Sequence, residues 1–322
     1  MAELPADRVS VKSTPWEDVG VDLFGPFYVS HGRRREKRWG CVFTCLAIRA
    51  IHLEVLATMD SDSFLNAFRR FCARRGTPTR VRSDQGTNFV GALAELRAEF
   101  QEINKLQVVL TARNMGVEWI FNPPHASHHG GVWERMIRTV RKVLVAIMPS
   151  ASVSEEVLTT AFVETEGLVN GRPLTKCSSD GCDDTPLTPN HFLVMKYNAP
   201  PPWREFGAGE ALRKRWKLTQ NLAYEFWKRW TKEYLPELQA RRKWNDDQPN
   251  YKTGELVLLV EEQQKSARGR WPLARIEEVK VSEDGRVRSV KLRYNGTMLT
   301  RPITKVAPLE LSVSPTSLGV GV

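Results

Sequence analysis

No apolar stretch in this 322-residue sequence approaches the ~18 residues of a membrane-spanning helix. Cysteine is scarce: there are five, an odd number, with no paired zinc spacing. That excludes a disulfide framework of the kind that staples small secreted folds. The first twenty residues are polar and include Pro5 and Pro15, so a secretory signal peptide is not expected there. There is no internal repeat, and the only low-complexity stretch is the Ser/Gly/Val tail at 312–322. Hydrophobic residues make up 41% of the chain, enough to bury a core and to exclude wholesale disorder.

What the chain has is an excess of positive charge, concentrated in one part. The formal net charge is +10 and the pI about 9.5. Residues 1–200 hold 24 basic and 22 acidic side chains, whereas residues 201–322 hold 23 and 15. A basic module thus follows a nearly neutral one. A solvated surface accounts for any single charge run, but concentration in one module leans toward a polyanion partner. The expectation is a soluble, basic protein of the nucleus or cytosol.

Hydrophobic patterning divides the chain further. Residues 1–19 read as an extended lead-in. An apolar strand, Val21-Asp22-Leu23-Phe24, then ends at the breaker Gly25-Pro26, and a basic hairpin tip follows at Arg33-Arg34-Arg35-Glu36-Lys37-Arg38. Strands are expected over 39–49 and 50–55. Phe64, Leu65, Phe68 and Phe71 at helical spacing predict a helix over 60–74. A short strand over 80–84, a helix over 91–106, a strand over 117–121 and helices over 132–147 and 154–170 complete the pattern βββαβαβαα. This is a mixed α/β domain at 20–200, including trailing helices. Prolines at 186, 189 and 200–202 mark a linker. A basic aromatic helix is expected within 201–250, and four strands within 251–311 form a small antiparallel barrel. Asn295-Gly296 is its strongest hairpin signal, and 312–322 is a flexible tail.

Three acids stand where chemistry would need them. Asp22 lies in the first strand among Val21, Leu23 and Phe24, and a buried carboxylate there must be paired or metal-bound. Asp84 follows a strand directly and precedes Gly86-Thr87-Asn88, at the carboxyl end where α/β sheets bind ligands. Glu134 lies in the first turn of a helix opened by Gly130-Gly131. Taken alone, three acids among 37 are weak evidence, and satisfied structural carboxylates are the plainer reading.

The surrounding residues change that weighing. Ser83-Asp84-Gln85-Gly86-Thr87-Asn88-Phe89, Asn122-Pro123-Pro124-His125 and His128-His129-Gly130-Gly131-Val132-Trp133-Glu134 together resemble the catalytic core of retroviral-type integrases. Those are Asp-Asp-Glu recombinases with a ribonuclease H-like fold. Asp22-Leu23-Phe24-Gly25-Pro26-Phe27, the Phe89-Val90-Gly91-Ala92 continuation and the Asn-Pro-Pro block resemble in particular the integrases of BEL/Pao-type LTR retrotransposons. The likeness spans about residues 15–200. It continues into Arg270-Trp271-Pro272-Leu273-Ala274-Arg275 and Asp284-Gly285-Arg286-Val287-Arg288, which look like the C-terminal module of the same polyproteins, an SH3-like barrel. Two departures stand out. Forty-nine residues separate Asp84 from Glu134, more than in many integrases, and no His/His/Cys/Cys module precedes the core in this sequence. It therefore reads as a fragment, a processed piece or a domesticated copy.

The resemblance implies a metal-dependent polynucleotidyl transferase that trims retrotransposon DNA 3′ ends and joins them to target DNA in the nucleus, reached through the cytoplasm. It implies two Mg²⁺ ions, replaceable by Mn²⁺, with Asp22 bridging and Asp84 and Glu134 each completing one site. It also implies DNA partners and a homo-oligomer, without a membrane. Candidate DNA contacts are Asn88, His125, Arg138, Arg141, Lys142, Arg286 and Arg288. Of these, Arg138 and Arg141 share a helix face with Glu134 at i+4 and i+7. The rival reading is a non-catalytic DNA-binding or scaffolding protein descended from such an integrase; a ribonuclease or another transposase is a third. Cys177, Cys182 and His191 lack a fourth ligand, so zinc is disfavoured. Cys41 and Cys45 share a strand face and read as core. The aromatic helix reads as packing or a partner interface rather than a base-stacking platform. One conflict is visible in advance: strict alternation along 287–294 puts Arg288 on the side of Val290 and Leu292, so either some cations lie beside apolar positions or the register shifts.

Overall fold

The computed structural model describes residues 14–83, 104–121, 131–148, 153–176, 186–195, 215–239, 250–261, 268–282 and 284–310, with 131–136 as backbone only. It divides into two compact units. The first comprises Met1–Asn170 and Arg204–Phe226, the second Gly171–Trp203 and Trp227–Val322.

The first unit is built on strands β1 (Asp18–His31), β2 (Arg34–Cys45), β3 (Ile51–Leu56), β4 (Arg80–Ser83) and β5 (Glu118–Phe121). They form one sheet in the order β3-β2-β1-β4-β5. The pairs β3/β2 and β2/β1 are antiparallel, whereas β1/β4 and β4/β5 are parallel. Among the described residues, helices α1 (Ser61–Arg75), α2 (Lys105–Asn114), α3 (Gly131–Ile147) and α4 (Glu155–Asn170) accompany them.

Alternation along the strands gives the sheet two faces. Val21 and Phe43 are cross-strand partners on one face; Asp22 with Val42 and Phe24 with Gly40 lie on the other. Helix α1 covers the first. Asp60 caps it, its carboxylate accepting the Ser63 N–H at 2.8 Å, and Phe71 stacks on Phe43 at 4.4 Å. On the second face, Phe162 of α4 meets Phe24 at 5.7 Å and Phe27 at 5.3 Å. Gly40 is required there, since a Cβ would lie 2.4 Å from the Phe24 ring.

Three expectations need correction. The first strand does not stop at Gly25-Pro26 but absorbs it as a bulge between Phe24↔Gly40 and Phe27↔Arg38 and runs on to His31. Gly25 makes this possible with φ +132°. Asp22 is not buried: its side chain is 35% exposed and meets Arg141 of α3 in an ion pair. The helix expected to end near Leu106 is replaced, in its described part, by α2, which starts at Lys105 with Asn104 as its cap. Residues 91–103 of that expectation lie outside the described residues.

The second unit opens with a short hairpin, β6 (Thr175–Lys176) with β7 (Pro186–Leu187), followed by helix α5 (Pro189–Val194). Its larger part is an antiparallel sheet of β8 (Leu256–Leu259), β9 (Leu273–Val281), β10 (Val287–Tyr294), β11 (Thr297–Pro302) and β12 (Val306–Pro308), in the order β11-β10-β9-β8-β12. A single 3₁₀ turn, Ile303–Lys305, joins β11 to β12, although these are opposite edges of the sheet. The sheet must therefore curl, and it closes on Val257, Leu259, Ala274, Ile276, Val287, Val290, Leu292 and Val306. β12 escaped sequence reading because three residues give no period. The register conflict is resolved by a bulge: Val287 pairs with Val281 and Ser289 with Lys280, leaving Arg288 as the extra residue. Val287, Val290 and Leu292 all then turn inward while Arg288 stays exposed.

Helix α6 (Arg215–Leu238) contributes its first half to the first unit and its second half to the second. Within the second, Trp271 lies edge-on to Trp227, Trp230 and Tyr234 at 4.9, 5.7 and 6.0 Å. The aromatic stripe is thus packing, as expected, except Trp216, which is 57% exposed.

Candidate active site

Asp22 lies on β1 one residue beyond the last β1–β4 pair, Val21↔Ser83. Asp84 is the residue after Ser83 in the chain. The two acids therefore follow the carboxyl ends of adjacent parallel segments, the position at which open α/β sheets bind ligands. Asp84 itself lies outside the described residues, as do Asn88, His125, His128, His129, Cys177 and Cys182.

The Asp22 carboxylate is held at both oxygens. Oδ1 accepts the Leu23 N–H at 2.8 Å, and Oδ2 is ion-paired with Nη1 of Arg141. Arg141 belongs to α3, so this pair fixes α3 against the Asp22 face. The helix is held by its buried side chains Ile137, Val140, Val143 and Leu144. Glu134 is two turns earlier on the same helix; its backbone is helical and its side chain is not described. Arg138 is exposed, as is Lys142. Of the three cations expected to face a substrate, the structure thus gives Arg141 to Asp22. Among the described residues, no group of three or more His, Cys, Asp or Glu side chains is disposed to hold a metal ion.

Cys41 pairs with Leu23 across the strands and is fully buried. Burial first, and the charges of Glu54 and Asp22 after it, push its thiol well above the ordinary value. A thiol so raised is protonated at neutral pH and is no nucleophile. Cys45, likewise buried and pushed up mainly by burial, accepts the Trp16 N–H at 3.2 Å, confirming both cysteines as core.

Two buried polar arrangements were missed by sequence reading. Asp18, 2% exposed, takes Arg80 in a fork, Nε to Oδ1 at 2.6 Å and Nη2 to Oδ2 at 3.0 Å; the two residues are register partners. Along the edge strand β3, His52 bonds Glu54 at 3.1 Å and Glu166 at 3.2 Å. Glu54 also receives Arg70 and Arg74, and Glu166 receives Arg75 and the Leu53 N–H. Asn170 bonds both backbone groups of Ile51, so α4 satisfies the open edge of the sheet. Burial opposes charge on His52, but Glu166 and Glu54 outweigh it and raise its pKa. Burial likewise works against ionised Glu54 and Glu166, and their cationic partners, His52 first, still lower both. The alternation His52-x-Glu54 and the i, i+4 pair Arg70/Arg74 were the signals available.

In the second unit, Arg288 is exposed and bonds Asp284 at 2.8 Å, and Arg286 is exposed beside it. Arg293 pairs with Glu277 at 2.8 Å and Lys291 lies 3.7 Å from Glu278, so β9 supplies acids that β10 lacks. His191 bonds Thr188 through Nδ1 at the start of α5, a capping role. Deeper in the unit, Arg172 and Glu310 form an ion pair at 2.8 Å with both side chains 0% exposed, and Tyr234 donates its hydroxyl to Glu310 at 2.9 Å. Burial opposes the Arg172 charge and Glu310 overrides it; burial, then Glu310, pushes the Tyr234 phenol well up.

Comparison with known proteins adds little to this geometry. Residues 214–309 match a family of unknown function, DUF5641. No curated protein matches the chain. Among solved structures, the cryoEM structure of the simian T-cell lymphotropic virus intasome in complex with PP2A regulatory subunit B56 gamma matches at 12% identity. The match covers 94% of this chain and 80% of that one, with a TM-score of 0.35.

Proposed function

We propose that this chain is a DNA integrase of the polynucleotidyl transferase class, with a ribonuclease H-like first unit, an SH3-like second unit and the BEL/Pao-type retrotransposon lineage that its motifs resemble. One observation carries the reading: Arg141 of α3 reaches the carboxylate of Asp22, so the helix that bears Glu134 is docked where β1 and β4 deliver Asp22 and lead into Asp84. Three antiparallel strands continued by two parallel ones, with helices on both faces, support the ribonuclease H-like assignment.

The donor set suits Mg²⁺, with Mn²⁺ able to replace it: three carboxylates are hard oxygen ligands, and Asp22 already draws a cation to its outer oxygen. Asp22, Asp84 and Glu134 would hold two ions, which when bound activate the attacking oxygen and stabilise the leaving one. The chain's own residues position the rest. Arg141 exchanges Asp22 for a substrate phosphate, joining exposed Arg138 and Lys142 on that helix; Asn88 and His125, outside the described residues, are assigned to DNA by the motifs that carry them. In the second unit, exposed Arg286 and Arg288 are assigned to a DNA contact of that unit. In the joining step a DNA 3′-hydroxyl attacks a target phosphorus in line and gives its proton to water, while the target's P–O3′ bond breaks and leaves a 3′-hydroxyl there, so no covalent protein intermediate forms. DNA and a second copy of the chain are the partners, and the nucleus is the site of action.

The test is joining of oligonucleotide 3′ ends to plasmid in Mg²⁺. Asp22→Asn, Asp84→Asn and Glu134→Gln should each abolish joining with DNA binding retained. Near wild-type joining by any of them removes that residue from the assignment. DNA binding without joining in the wild-type chain favours the non-catalytic scaffold instead.

A further inference from the structure

Beyond Val21↔Ser83 on one side and Trp39↔Leu56 on the other, β1 and β2 pair only with each other among the described sheet strands. From Phe27↔Arg38 to His31↔Arg34 they form a two-stranded arm that leaves the five-stranded sheet. A two-residue turn closes it, Gly32-Arg33, with Gly32 at φ +60°, as a tight hairpin of the II′ kind requires. Its flank is tied down: the Ser30 N–H donates to the Val153 carbonyl at 2.8 Å, and the Val153 N–H to the Tyr28 carbonyl at 3.3 Å. The arm is therefore a fixed ribbon.

Its two faces differ sharply in charge. Phe27 and Val29 are buried on one, together with half-buried Glu36 and Arg38, and Arg38 bridges Glu36 at 2.9 Å and Glu155 at 3.1 Å. The single acid of the run Arg33–Arg38 is thus turned to the protein side. The register puts Tyr28, Ser30, Arg35 and Lys37 on the opposite face, all exposed, with Arg33 and Arg34 exposed at the tip. Arg35 stacks its guanidinium 3.9 Å over the Tyr28 ring, which orients it.

Four exposed cations within residues 33–37 make this tip a concentrated positive surface, and such a surface attracts an extended polyanion. Guanidinium forks match phosphate geometry, and a two-stranded ribbon is the width that the major groove of duplex DNA admits. We propose that the tip of this arm, Arg33, Arg34, Arg35 and Lys37, is a docking site for the phosphate backbone of duplex DNA, distinct from the candidate active site. Ten residues of strand separate Gly32 from Asp22, roughly 30 Å at about 3.3 Å per residue. The arm would hold duplex that the active site does not grip. The choice of DNA as the polyanion rests on the proposed function; the site rests on the arm.

The experiment is fluorescence anisotropy of the full chain with a labelled 30-base-pair duplex, titrated across salt. The variant Arg33→Gln/Arg34→Gln/Arg35→Gln/Lys37→Gln is compared with a charge-matched control, Arg69→Gln/Arg113→Gln/Lys228→Gln/Lys232→Gln, whose side chains are exposed elsewhere. Thermal melts check that both fold. The arm variant should bind at least about tenfold more weakly, with a log–log salt slope shallower by about 2–4, at roughly 0.9 for each phosphate no longer neutralised. The control should lose less than half as much. Equal loss in the control, an unchanged arm variant, or no binding by the wild-type chain overturns the site. If arm-dependent binding holds while wild-type joining fails, the proposed activity falls and the arm stands.

Discussion

Each unit contains an arginine–carboxylate pair, and the two pairs are built for opposite ends. In the first, Arg141 meets Asp22 with side chains 25% and 35% exposed. In the second, Arg172 meets Glu310 with neither exposed, and Tyr234 satisfies the same carboxylate oxygen. A half-solvated pair contributes little to stability and can exchange partners cheaply. A dry pair cannot lose either member without leaving a bare charge in the interior. Burial, rather than residue type, separates a carboxylate available for chemistry from one that fastens a fold.

The sharpest way to break this contrast is to remove one member of the dry pair. Arg172→Met should destabilise the second unit by about 3–5 kcal/mol in urea unfolding, because Glu310 is left buried and unpaired. Adding Glu310→Leu should recover most of the loss. A fragment 201–322 keeps Glu310 and Tyr234 but lacks Arg172, so it should be weaker than 171–322 by a similar margin. Residues 171–174, which carry Arg172, are thus part of what stabilises the barrel unit. Equal stability of the two fragments would show that the clamp contributes nothing. Next in size is Tyr234→Phe, which takes one hydrogen bond from a buried carboxylate; about 1.5–3 kcal/mol is expected by the same measurement.

The first unit has a network of its own at β3, with His52, Glu54 and Glu166 largely buried and Arg70 and Arg74 exposed at its rim, and its signature is pH. His52 is raised, so the stability it contributes is fully present below its unfolded pKa and fades as pH rises through the folded value. Glu54 and Glu166 are lowered, so theirs is present above the ordinary carboxylate range and fades as pH falls through their folded values. The network is therefore strongest in mildly acid solution. Melting temperatures should fall from pH 6 to pH 9 more steeply in wild type than in His52→Gln. Parallel curves would remove His52 from the account. The smallest effect belongs to the exposed pair: Arg141→Gln should change stability by no more than about 1 kcal/mol while weakening DNA binding.

Much of this was legible in the sequence, and the failures have physical causes. Helix α1 announced itself through Asp60 and the Phe64/Phe68/Phe71 stripe, and β10 through its flanking turns at Asp284-Gly285 and Asn295-Gly296. Gly25-Pro26 misled because a bulge and a strand end carry the same residues, and only the partner strand distinguishes them. Asp22 was expected to be buried because its neighbours are apolar; it is 35% exposed, and its partner Arg141 comes from 119 residues along the chain. The conflict at Arg288 was visible, with a register shift as one of its two outcomes, whereas the acids that neutralise Lys291 and Arg293 were not visible, since they come from β9. Arg172 and Glu310 are 138 residues apart, and no local pattern links them.

In the proposed integrase, Asp22, Asp84 and Glu134 converge on one metal site. Electron paramagnetic resonance of Mn²⁺ titrated into the full chain, with duplex DNA present, counts the ions bound there. About two per chain are expected, with loss of binding in Asp22→Asn, Asp84→Asn and Glu134→Gln, each still folded by thermal melting. Undiminished Mn²⁺ binding in any of the three, or none in the wild-type chain, would overturn that convergence.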